Sequence, residues 1–164
     1  MDVFDAIKNR RSVRKFTEET ISDSDIEQIL EAGRWAPSGL NNQPWKFKVV
    51  RDAGLKQKLA GCTHYGETVI NAPVCIAVFL DAGDGYDRTK DVQAVGACIQ
   101  NMLLAVHALG LGAVWLGEIL KKKSEVEKIL NAPENCGFMA LIAVGHPSEK
   151  PKSDRRPQAS LVLP

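Results

Sequence analysis

The stretch from Asp91 to Leu109 constrains the fold more than any other. Val92, Val95, Ile99, Met102, Leu103 and Val106 recur at helical spacing, and Ala94, Ala97, Cys98 and Leu104 fill the other faces. A helix that is apolar nearly all round has to be buried. In a chain of 164 residues that burial is easier if a second subunit covers one side, so the segment favours a homodimer.

The elements around it follow from periodicity and punctuation. A short helix is predicted over Val3 to Asn9. A second is announced by Ser22 with Asp25 three residues on and by Ile26, Ile29 and Leu30 on one face, and it stops at Trp35-Ala-Pro37-Ser38-Gly39. Trp45 to Val50 reads as a strand, Leu55 to Ala60 as a helix, Pro73 to Leu80 as a compact apolar strand and Asp81 to Asp87 as a turn-rich loop. Beyond Gly110-Leu-Gly112, Ala113 to Leu116 is a strand, Ser124 to Leu130 a helix and Phe138 to Val144 a strand, with an extended Pro- and Lys/Arg-rich tail from His146. Strands spread between helices define an α+β class, a central sheet flanked by helices, in one domain over residues 1–164.

Charge excludes some functions. Twenty-one Lys and Arg against 20 Asp and Glu leave a net charge of +1, so no global field draws the chain to nucleic acid or a membrane surface. No basic stretch followed by an apolar core opens the chain and no apolar run spans a bilayer; a cytoplasmic protein is expected. Cys62, Cys75, Cys98 and Cys136 form neither a C-x-x-C pair nor a Cys/His cluster, which argues against zinc and iron–sulfur sites. His107 lies in the buried helix and is expected to be a satisfied core residue.

Three segments could carry chemistry. Arg10, Arg11, Arg14 and Lys15 with Ser12 between them offer paired donors and a hydroxyl suited to a phosphate; the same cluster could be a solvated turn closing the first helix. Pro37-Ser38-Gly39-Leu-Asn41-Asn42-Gln43-Pro44-Trp45 presents amides that can read the donor and acceptor edge of a heterocycle, or else caps the following strand as an Asx-rich turn. Gly110-Leu-Gly-Ala-Val-Trp115-Leu116-Gly117-Glu118 is not a dinucleotide fingerprint, because Trp115 holds the third glycine position and the glycines follow a helix. It does place a small residue, Gly117, at a strand end, where a flat ring could approach the backbone N–H. Lys150, Lys152, Arg155 and Arg156 add a second cationic group in the tail.

Taken in order, RRSVRKF at 10–16, ILEAGRWAPSGLNNQPWKF at 29–47, NMLLAVHALGLGAVWLG at 101–117 and ALIAVGHPSEKP at 140–151 strongly resemble the nitroreductase family of flavoproteins, over nearly the whole chain. The resemblance implies a mostly antiparallel sheet and an FMN site at a dimer interface. It implies that Arg10, Arg11, Ser12 and Arg14 of one subunit hold the phosphate and ring edge, joined by Arg155. Pro37, Ser38 and Asn41 would come from the second subunit, as would Trp115, Leu116, Gly117 and Glu118, with the Gly117 N–H facing the flavin nitrogen that receives hydride. Ser153 stands where longer family members carry a Lys. The implied activity is hydride transfer from NAD(P)H through FMN to a small organic acceptor, a nitroaromatic, quinone or enone, by a ping-pong sequence. A flavin store or redox sensor, and relatives that dehalogenate iodotyrosine or cleave flavin, are the competing readings.

Overall fold

A computed structural model of the chain describes residues 1–163. Four strands form one antiparallel sheet in the order β1-β2-β4-β3, with β1 at Trp45–Val50, β2 at Val74–Asp81, β3 at Gly112–Leu116 and β4 at Cys136–Gly145. The α+β expectation and the antiparallel sheet hold. Among the described residues six α-helices surround it: α1 Val3–Asn9, α2 Asp23–Arg34, α3 Ala53–Ala60, α4 Gly66–Asn71, α5 Arg88–Ala108 and α6 Lys123–Ile129.

All eight residues of β2 are buried, because the sheet is covered on both faces. Alternation then divides the core. Val74, Ile76, Val78 and Leu80 of β2 join α2 and α5 in one apolar cluster, while Cys75, Ala77 and Phe79 face α3, α4 and α6 in the other. A continuous apolar run rather than an alternating one is the signature of such a doubly covered strand.

The helix ends follow from local chemistry. The Asp25 N–H donates to Ser22 Oγ at 3.0 Å, and the Ser22 hydroxyl donates to Asp25 Oδ2 at 2.7 Å, so the pair closes the start of α2 reciprocally. Asp87 caps α5 by accepting from the Lys90 N–H at 3.0 Å, which starts that helix at Arg88 rather than Asp91. Gly110 ends it at φ +77°, a left-handed conformation open to glycine, and the Leu111 N–H returns to the Val106 carbonyl at 3.0 Å. α4 has no side-chain cap and only six residues, which is why the sequence does not announce it.

α5 is covered from one side only. Val95, Ile99, Met102 and Val106 are almost fully buried against α2 and the sheet, whereas Gly96, Ala97 and Leu104 remain half-buried and Gln93, Gln100 and Ala108 are exposed. These six fall near every fourth position, so they make one stripe along the helix. No helix among the described residues is long and apolar enough to cross a membrane.

Candidate active site

The sheet positions the basic segment. Ser12 pairs with Ala113 as an isolated parallel bridge, the Val13 N–H donates to the Ala113 carbonyl at 2.9 Å, and Phe16 bridges Pro147. The edge of β3 therefore gains an extra length of backbone, and Arg10 to Lys15 are fixed beside it. Glu149 holds the same segment from outside, its Oε1 accepting from the Arg14 N–H at 2.7 Å and the Lys15 N–H at 3.3 Å.

The guanidinium groups of Arg10, Arg11, Arg14 and Arg155 form no ion pair within 4.0 Å among the described residues. Partial burial, then the nearby Arg155 and Arg11 charges, hold the Arg10 guanidinium below its ordinary pKa. Guanidinium groups gathered this way and free of ion pairs can offer their donors to an anion. Arg155, from the tail, comes near enough to Arg10 for their charges to repel. Arg11 spends part of its donor capacity locally, on the Lys8 carbonyl at 2.6 Å and the Arg10 carbonyl at 2.9 Å. Beside them a cavity of about 350 Å³ is lined by Arg10, Arg11, Val13, His107, Lys150 and one carboxylate, Glu149, which is held by the Arg14 and Lys15 N–H groups.

His107 departs from expectation. It is half-buried, and its Nε2 is enclosed without a hydrogen-bond partner. His107 itself borders the cavity, on the other side of the last turn of α5 from the buried Val106.

β3 ends in Trp115, Leu116, Gly117 and Glu118. Leu116 is buried and Trp115 is 41% exposed. A Cβ built on Gly117 would meet nothing within 4 Å, so the backbone there faces open space. The Glu118 side chain turns away from that space: its Oε2 accepts from the Thr63 hydroxyl at 2.8 Å and the His64 N–H at 3.1 Å, and its Oε1 lies 3.5 Å from Lys121 Nζ. These bonds, the Thr63 hydroxyl first, hold the Glu118 carboxyl below its usual range. The Arg14 guanidinium stands 5.7 Å from the centroid of the Tyr65 ring. The resemblance implied residues 115–118 from a second subunit. The Ser12–Ala113 bridge sets them on the same wall as Arg10 to Arg14 within one chain.

Pro37, Ser38 and Asn41 lie elsewhere. They follow α2 in a tight turn whose Leu40, Asn41 and Gln43 all take positive φ, 54°, 55° and 49°. Backbone in that region costs about 1–3 kcal/mol per non-glycine residue and persists only where its surroundings enforce it. Here the Ser38 hydroxyl accepts from the Gln43 N–H at 3.0 Å, and the Asn42 amide donates to the buried Asp91 carboxylate at 2.8 Å. The turn borders the N-terminal half of α5, at Lys90 to Ala97, whereas the basic segment borders its C-terminal half, at Leu103 to His107. About a dozen residues, or roughly 18 Å of helix, separate the two groups. One chain does not bring them together.

Sequence reasoning missed Thr63, Tyr65 and Lys122. The only signal was the pair of glycines bounding Gly61-Cys-Thr-His-Tyr-Gly66, which marks a turn without naming its partners.

Comparison with known proteins agrees with this architecture. The model of the nitroreductase family matches residues 7–64 and 60–146. The chain belongs to the nitroreductase family. It is 38% identical over 153 residues to a protein of Methanothermobacter thermautotrophicus provisionally named NADH dehydrogenase/NAD(P)H nitroreductase, covering 92% of this chain and 80% of that one. A provisionally assigned nitroreductase of Desulfovibrio desulfuricans, crystallised in complex with FMN, superposes with a TM-score of 0.96 at 50% identity, over 100% of this chain and 96% of the other. The NADPH:FMN oxidoreductase of Vibrio harveyi, solved with NAD+, matches at a TM-score of 0.90 and 27% identity, over 98% of this chain and 76% of that one.

Proposed function

We propose that the chain is a homodimeric, cytoplasmic FMN oxidoreductase that takes a hydride from NAD(P)H and passes electrons to a small organic acceptor of nitroaromatic, quinone or enone type. One observation carries this reading. Arg10, free of any ion pair and close enough to Arg155 to feel its charge, stands on the same sheet edge as the open backbone at Gly117. A phosphate at one end and a flat ring at the other describe FMN, and the donor set fits it. Bound FMN supplies the chemistry, accepting a hydride and releasing electrons to the acceptor.

The chain's own residues supply binding, orientation and charge. Arg10, Arg11, Arg155 and the Ser12 hydroxyl would hold the phosphate with charge-assisted bonds. The Gly117 N–H would donate to the ring nitrogen that receives hydride, from backbone fixed by β3. Arg14 would place its charge at the pyrimidine end, where it favours the reduced ring. Leu116 and Trp115 would flank the ring from the same strand.

Pro37, Ser38 and Asn41 would complete the site from the partner, which requires two copies packed along α5 in opposite directions. Three features support that dimer: the half-open stripe on α5, the exposed Val3, Phe4 and Ile7 on α1, and Leu40 exposed at 85% on the strained turn. Four free, buried cysteines suit a reducing compartment.

Purification tests the reading. The protein is expected to be yellow, to release FMN on denaturation and to lose its absorbance when NAD(P)H is added without oxygen. With an acceptor present, double-reciprocal plots should give parallel lines, because both substrates must reach one ring face in turn. Recovery of FAD or of no flavin after reconstitution would refute the cofactor, and a flavin that NAD(P)H leaves oxidised would refute the activity.

A further inference from the structure

The strap from Gly61 to Gly66, between α3 and α4, is bound to the turn that follows β3 by side chains that the hydride chemistry does not require. Glu118 and Lys122 both belong to the single turn, Glu118–Lys122, that follows β3. Glu118 Oε2 accepts from Thr63 Oγ1 and the His64 N–H across more than 50 residues of sequence, and Lys122 Nζ donates to the Gly61 carbonyl at 3.0 Å. Within the strap the Thr63 hydroxyl oxygen also accepts from the Tyr65 N–H at 3.2 Å. One hydroxyl thus connects the Glu118 carboxylate to the backbone of Tyr65, and the Tyr65 ring stands against the Arg14 guanidinium.

We propose that Glu118 is a positioning residue of the flavin site: through Thr63 it fixes Tyr65, and Tyr65 fixes the Arg14 guanidinium relative to the Gly117 backbone. The inference rests on the FMN reading above. Glu118 follows Gly117 directly, so the residue that presents the ring-facing N–H is joined to the one that aligns the cation. An exposed guanidinium samples many rotamers in free solution, and an aromatic face within about 6 Å narrows them. The ring can do so only while the strap is held. Glu118 would therefore act on flavin affinity without touching flavin through its side chain.

A double-mutant cycle on the FMN-loaded protein tests this. The readout is the FMN dissociation constant, followed by the return of free-flavin fluorescence on dilution. Glu118→Ala is expected to weaken FMN binding about tenfold in the native background and less than twofold in an Arg14→Ala background. Glu118→Gln, which keeps an oxygen that can accept from Thr63 and His64, should recover most of the loss. Equal losses in both backgrounds would overturn the proposal, as would an unchanged constant in Glu118→Ala. Should Glu118→Ala not fold, Thr63→Val breaks the same link and Thr63→Ser restores it; a Thr63→Val loss undiminished by Arg14→Ala overturns the proposal equally. A native protein that binds no FMN refutes the cofactor assignment instead, which separates the two failures.

Discussion

Gly112 lies directly beneath Val13: a Cβ built on the glycine would stand 2.9 Å from both Cβ and Cγ1 of the valine. That contact is what lets the backbone of Ser12 and Val13 lie against β3 and carry Arg10 to Arg14 with it. A real side chain at 112 would have to push the basic segment outward.

Gly112→Ala is accordingly expected to cost about 1–3 kcal/mol by overpacking, even though alanine is otherwise easier than glycine to hold in a strand. Urea unfolding measures the loss. FMN affinity should fall with it, since the displaced segment holds the arginines. A variant as stable as the native chain would show that the segment can shift freely.

Arg155→Ala should have opposite effects with and without ligand. Arg10 and Arg155 repel one another in the bare protein, so removing one leaves the melting temperature of the flavin-free form equal or higher. FMN binding should weaken about tenfold, the loss of one charge-assisted bond. Thermal melts at zero and saturating FMN give both signs in one experiment. A lowered flavin-free midpoint would mean that Arg155 supports the fold rather than the ligand.

Leu104→Glu places a carboxylate in the half-open stripe of α5, facing away from the core. Sedimentation should show the native chain as a dimer and this variant shifted toward monomer, with flavin occupancy falling in parallel. A native monomer that keeps full flavin occupancy would rule out the shared site.

Glu118 sets a pH dependence. Its carboxyl is held below the ordinary value of 4.5 by the Thr63 hydroxyl, then the His64 N–H. A depressed pKa contributes stability that is fully present above the unfolded pKa and is lost as pH falls through the folded one. The native chain should therefore exceed Glu118→Gln in urea stability at about pH 7, and the gap should close toward about pH 3. A gap that stays constant would assign Glu118 no such bond.

Much of this was legible beforehand, for physical reasons. Ser22, Gly110 and the apolar run at 74–80 encode their structure in neighbours a few residues away, so caps, strand and class could be read directly. The basic cluster could be recognised, yet whether it was a solvated turn or a site depended on Arg155, about 145 residues distant, and on which guanidinium groups the fold leaves without an ion pair. Thr63 and Glu118 are each ordinary alone; only the fold puts a hydroxyl against a carboxylate. The nearness of Trp115 to Glu118 to the basic segment of the same chain could not be read, because the Ser12–Ala113 bridge lies outside every regular strand and leaves no periodic trace.

The separation of the strained turn and the basic segment along α5 has a genetic consequence. Each chain would lend one half to each of two sites, so a chain damaged at Arg14 and another damaged at Ser38 could rescue one another. In their mixed dimer one site receives both lesions and the other none. Co-expression of two such copies, each inactive alone, should restore up to half the activity per mixed dimer. Selection would then act on the pair of chains as a unit, and a recessive lesion at one end of the helix could persist for as long as its complement is present.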